Sequence, residues 1–223
     1  MSGGANKSFL SNPISFLRNN VLTIDVQSMV TTPSQNGGLA NYSAKHNQGG
    51  LVTVNIAKDP VNKGLKSTGS SAVAYKVSEA SGAPSKHSHQ FSAYYLPFMN
   101  NDFRVMNLGN AADFFFTDTM NGCSFACGAG NPPKIGHFNR VSGPNDMIDQ
   151  NAIDGDISGQ FPGGVLKSLK KTDYKNDVGE AASLVGVRTN GTWAFYYQVY
   201  SVAGVTKTGK VYQIADGMPA TVR

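Results

Sequence analysis

The sequence predicts an α+β fold that is mostly β: two packed mixed β-sheets, sandwich-like, with a few short peripheral helices and long loops. Three observations lead there. Apolar and polar residues alternate with a period of two in many short runs. Charged residues are only 15% of the chain while it holds 25 glycines, a balance that favours strands and turns over long surface helices. Helix signals are few, and many short strands with few helices pack as two layers. The 223 residues suit one undivided domain, 1–223. A 40% apolar fraction with twelve Phe and nine Tyr can fill its core.

In chain order, Ser8 to Asn19 reads as a short helix interrupted near Pro13. Strands follow at Leu22–Gln27, Leu51–Ala57, Ala72–Ser78 and Phe91–Met99, with Gly- and Ser-rich loops at 33–50, 66–71 and 80–90. Asp113–Thr119, Gly122–Cys127 and Lys134–Asn139 alternate in the same way. Pro144-Asn145-Asp146 before Met147, Ile148 and Ile153 opens a second helix. Ser183–Arg188, Trp193–Val202 and Lys210–Ile214 complete the strands, and both faces of Trp193–Val202 are apolar enough to be partly buried. Asn190-Gly191-Thr192 matches a glycosylation acceptor but lies between strands and reads as a turn.

Several chemistries are disfavoured. The apolar runs are too short for a transmembrane helix, and Met1 to Asn20 lacks the continuous apolar core of a secretory signal. The net charge of +5 helps approach to acidic partners or membranes. No phosphate-binding loop appears. Lys167-Ser168-Leu169-Lys170-Lys171, with Lys175 near, reads as a solvated face without an aromatic platform, so no nucleic-acid partner is expected. His87-Ser88-His89 has the spacing of two ligands on one strand, but beyond the site proposed below only His46 is left to join it. Asp149, Asn151, Asp154 and Asp156 fail the spacing of a calcium loop, so neither metal nor organic cofactor is expected.

The two cysteines, Cys123 and Cys127, would stand roughly 13 Å apart on an extended strand, too far for a disulfide. Cys127 reads as core or strand filler on the face of Cys123. Cys123 and His137 flank Gly128-Ala129-Gly130-Asn131-Pro132, a turn signal. A loop of 128–132 pairs 127 with 133, 125 with 135, and 123 with 137, placing thiol and imidazole opposite each other on one face. That is the minimal apparatus of thiol nucleophilic catalysis. Gly122 before the nucleophile lets substrate approach the backbone. Thr117-Asp118-Thr119 offers a third member that orients the imidazole by hydroxyl, carboxylate or main-chain carbonyl.

Phe115-Phe116-Thr117, Gly122-Cys123, Gly128, Gly130, Pro132 and His137 together resemble the catalytic segment of Burkholderia lethal factor-like glutamine deamidase toxins. These are related in catalytic arrangement to the catalytic domain of the cytotoxic necrotizing factors. Weaker matches fall in the same order at Leu22-Thr23-Ile24-Asp25, His46 with Gly49-Gly50, Leu96-Pro97-Phe98, Val185-Gly186 and Tyr197-Gln198. The family's Leu-Ser-Gly-Cys is Met120-Asn121-Gly122-Cys123 here, and the interval from Cys to His is two residues longer.

The resemblance implies a Thr–Cys–His triad of Thr117, Cys123 and His137, with Asp118 and Thr119 as alternatives for the orienting role. Gly122 and Asn121 are expected at the substrate-binding or oxyanion position. It further implies a bacterial toxin or effector, secreted or delivered into the target-cell cytosol without a classical signal peptide. Its substrate would be a target-cell protein bearing a reactive glutamine, a translation factor or a GTPase. Two competing readings stand beside it. One is a transglutaminase or cysteine protease using the same Cys–His pair; the other is a non-enzymatic β-sandwich binding module.

Overall fold

The computed structural model describes residues 3–24, 50–59, 73–80, 89–143, 147–174, 180–201, 211–214 and 219–221, and the structural statements below concern these. The chain opens with α1 (Gly3–Ser11) and α2 (Pro13–Asn19). The break between them has a local cause. Asn12 accepts the Ser15 N–H with its side chain at 2.9 Å and caps α2, while Pro13 takes the first helical position.

Strands β1 (Asn20–Ile24), β2 (Gly50–Lys58), β3 (Val73–Glu79), β4 (Phe91–Leu96), β5 (Phe103–Asn107), β6 (Phe114–Thr117), β7 (Ser124–Gly128) and β8 (Lys134–Phe138) follow. After β8 come β9 (Val141–Ser142), β10 (Met147–Ile148), α3 (Gln150–Gln160), β11 (Val165–Leu169) and the one-turn helix α4 (Lys171–Tyr174). The chain then runs through β12 (Glu180–Thr189), β13 (Thr192–Ser201), β14 (Tyr212–Ile214) and β15 (Pro219–Thr221).

The expected pair of packed sheets is present. The larger has nine strands in the order β1-β3-β2-β4-β6-β12-β13-β14-β15 and is mixed, with β1/β3 and β4/β6 parallel. The smaller, β11-β7-β8-β5, is wholly antiparallel. The large sheet curls until β1 lies against β12 and β13. Opposed Ser183 and Gln198 close this seam: Ser183 donates to the Leu22 carbonyl, and Gln198 accepts the Leu22 N–H at 2.6 Å.

Alternation divides the side chains into layers. Phe114 and Phe116 of β6 face α1 and α2, packing with Phe9, Phe16 and Phe91, while Phe115 faces the small sheet with Phe125, Ile135 and Phe195. The other face of the small sheet presents Ala126 and Phe138 to Ile153, Ile157 and Phe161 on and just beyond α3. The order of layers is therefore helices, large sheet, small sheet, helix.

Several boundaries differ from expectation. The β7–β8 register pairs 127 with 135 and 125 with 137, so the loop is 129–133 and not 128–132. Pro132 and Pro133 explain the shift, because neither has an N–H to give to the ladder. The displacement is even, so the same side chains stay on each face. Phe91–Met99 ends at Leu96, where Pro97 stops it, and Asp113–Thr119 ends at Thr117. Met147 and Ile148 form β10, not a helix; the helix starts later, where Asp149 accepts the Ala152 N–H at 3.0 Å. Strands β5 and β11, the two edges of the small sheet, were not expected; β11 overlaps the first three residues of the supposed basic face. Asn190 and Gly191, at φ 51° and 82°, make the two-residue turn between β12 and β13. His46, His87, Asp25 and Lys175 lie outside the described residues.

Candidate active site

The expected triad residues come from both sheets. Thr117 ends β6 in the large sheet; its parity with Phe115 turns it toward the small sheet, where it is fully buried. His137 lies on β8, opposite Phe125 on β7 and Arg104 on β5, and is 2% exposed. Cys123 immediately precedes β7 and packs into the apolar layer between the sheets with Phe125 and Cys127. The register pairs His137 with Phe125 and not with Cys123; carried one step beyond the end of β7, it would set Cys123 diagonal to His137 on the same face. Diagonal Cβ atoms stand roughly 7–8 Å apart at most, a gap that an imidazole can bridge.

Thr117 Oγ1 lies 2.7 Å from the Leu96 carbonyl and 2.6 Å from His137 Nδ1. A carbonyl has no proton to offer, so the single hydroxyl proton goes to Leu96. Nδ1 must then carry hydrogen and donate to Oγ1. This fixes the tautomer and leaves the Nε2 lone pair as the basic site. Nε2 is buried and has no hydrogen-bond partner among the described residues. Burial lowers the His137 pKa from 6.5 to about 4, so the ring is neutral at neutral pH. A standing thiolate–imidazolium pair is thereby disfavoured.

The alternative orienting residues are engaged elsewhere. Asp118 accepts the Tyr95 hydroxyl and, at 2.8 Å, the Phe98 N–H. It thereby fixes Phe98, whose ring meets His137 edge-on at 5.8 Å between centroids. Thr119 donates to the Ile24 carbonyl at 3.1 Å and lies 3.1 Å from the Tyr200 hydroxyl, tying down the end of β1.

The turn before the thiol has a partner that the sequence did not disclose. Tyr174, at the end of α4, accepts the Gly122 N–H at 2.8 Å and donates to the Cys123 carbonyl at 2.8 Å. Its phenol is held well above its ordinary pKa, first by burial and then by Cys123. Gly122 itself has φ 106°, and a Cβ there would come within 2.8 Å of Ile148 Cγ1. Its N–H is thus already given to Tyr174, and Asn121 beside it is exposed. Tyr174 follows Cys123 by 51 positions, and no spacing rule connects them.

Neither cysteine forms a disulfide, and Cys127 is 2% exposed in the apolar layer, as filler should be. Among the described residues no three His, Cys, Asp or Glu side chains gather to hold a metal ion. The rejected acidic series has structural work: Asp149 caps α3, Asp154 pairs with Lys170 at 2.8 Å, and Asp156 pairs with Arg140 at 2.5 Å. No described helix is long and apolar enough to cross a membrane.

No family model matches this chain, and no curated protein does either.

Proposed function

We propose that this protein is a cysteine-dependent protein-glutamine deamidase, converting glutamine to glutamate on a target-cell protein through a thioester. The observation that carries the reading is the Thr117–His137 hydrogen bond at 2.6 Å, which leaves Nε2 as the basic site, without a partner among the described residues, on the face that the register extends toward Cys123. A buried polar atom left without a partner costs roughly 1–3 kcal/mol, and a catalytic role accounts for keeping it.

His137 Nε2 takes the proton of the Cys123 thiol as sulfur attacks the side-chain carbonyl carbon. The same nitrogen protonates the departing ammonia, leaving the thioester. It then draws a proton from the water that hydrolyses the thioester to glutamate. Thr117 keeps the imidazole in the working tautomer throughout. As a toxin or effector, the protein would meet its substrate, a translation factor or GTPase, inside the target cell; this part rests on the sequence resemblance alone.

Target-cell lysate treated with wild type and with Cys123→Ser tests the reading. A gain of about one dalton at specific glutamines, seen only with wild type, supports it; amine adducts at those glutamines would identify a transglutaminase, and chain cleavage a protease. One observation favours the non-enzymatic module: Cys123 is only 4% exposed within an apolar cluster. Iodoacetamide labelling of Cys123 that is slow at neutral pH and unchanged by His137→Ala would select that module.

A further inference from the structure

Accepting the deamidase reading, the tetrahedral intermediate needs hydrogen-bond donors for its oxygen, and the Gly122 N–H is already given to Tyr174. The β7–β8 ladder points to a donor on the opposite strand. Ser124 pairs with Phe138 at the end of the ladder, and the same register carried one position outward would set Cys123 across from Asn139. Asn139 remains in register beyond β8, because its N–H continues the β5 ladder to the Asp102 carbonyl at 2.9 Å. It therefore shares a face with His137, two residues before it. Opposed residues have Cβ atoms roughly 4.5–5.5 Å apart, which brings a side-chain amide beside a sulfur. Asn139 is buried at 4% exposure, and its Nδ2 makes one long contact, 3.3 Å to Asn100 Oδ1. The second amide proton has no partner among the described residues.

We infer that the Asn139 side-chain amide is the oxyanion donor of this site. As the Cys123 sulfur bonds to the glutamine carbonyl carbon, the carbonyl π pair moves onto oxygen and the thiol proton passes to His137 Nε2. The Asn139 Nδ2–H then binds that oxygen. When the pair returns, the C–N bond breaks and nitrogen leaves as ammonia with the proton from Nε2. Water repeats the cycle on the thioester, with the same oxygen on the same donor.

The test exploits a difference between two reactions of one thiol. Alkylation by iodoacetamide displaces iodide and builds no oxyanion, whereas deamidation must. Asn139→Ala should therefore slow Gln-to-Glu conversion in target-cell lysate about a hundredfold to a thousandfold. Its Cys123 alkylation rate should stay within about twofold of wild type, and Asn139→Asp, which keeps the shape but presents oxygen where a donor is needed, should be equally slow. Conversion by Asn139→Ala within about threefold of wild type would overturn the assignment. So would a parallel fall in conversion and alkylation, or loss of cooperative melting in both variants, since each would mark a structural amide. No conversion by wild type would instead remove the deamidase reading itself.

Discussion

Thr117 shows how one hydroxyl can decide the chemistry of a ring it merely touches. Thr117→Val keeps the shape but strands both the Leu96 carbonyl and His137 Nδ1, costing about 1–3 kcal/mol of stability. It should also cut turnover about 10–100-fold, because the ring is then free to carry its proton on the wrong nitrogen. Thr117→Ser restores the hydroxyl and most of the rate, and denaturant melts with turnover of the two variants separate these effects. Thr117 was legible as one of three candidates, with Asp118 and Thr119, at the end of an apolar run, and the family resemblance singled it out. Asn139 has the parity of His137, two positions beyond it, but the role proposed for it depends on the hairpin register. Tyr174 had no such signal, since only packing brings α4 to the Gly122 turn.

Among the elements, the turn from Met120 to Cys123 is the most constrained, held by Tyr174 and roofed by Ile148. Gly122→Ala places a Cβ at φ 106° and 2.8 Å from Ile148 Cγ1, so strain and crowding add. A loss of about 2–4 kcal/mol is expected in urea unfolding, with turnover falling too. Gly191→Ala, at φ 82° with its nearest contact 4.0 Å away, should lose only the backbone part. Equal losses would show that Ile148 does not press on the turn. The strand runs were readable from alternation, yet the edges of the small sheet were not. In Phe103–Asn107 and Val165–Leu169 the burial pattern does not alternate, because edge strands have one neighbour and partly open faces. The hairpin loop was misplaced by one residue on each side, since Gly128 looked like turn and is strand.

The stability of the whole molecule should carry the mark of one buried base. His137 titrates near 6.5 when unfolded and at about 4 when folded. Below pH 6.5 the unfolded chain therefore takes up a proton that the folded chain refuses, and stability falls as pH drops toward 4. The loss from this group is about 3 kcal/mol. Urea unfolding at pH 7 and pH 4.5 should show about 2 kcal/mol more acid sensitivity in wild type than in His137→Gln, since the transition is not complete until below pH 4; parallel behaviour would mean that the ring is charged or solvated. The layered plan was legible from composition and period, whereas the curl of the large sheet was not, because Ser183 and Gln198 read as ordinary strand polars. Finally, Thr117 belongs to one sheet and His137 to the other, so their 2.6 Å contact gauges how the two slabs are seated. Any swollen form that kept its strands but let the slabs slip would still give a β spectrum while its chemistry had gone. Catalysis should thus be the first property lost on mild acidification and the last regained on return to neutrality.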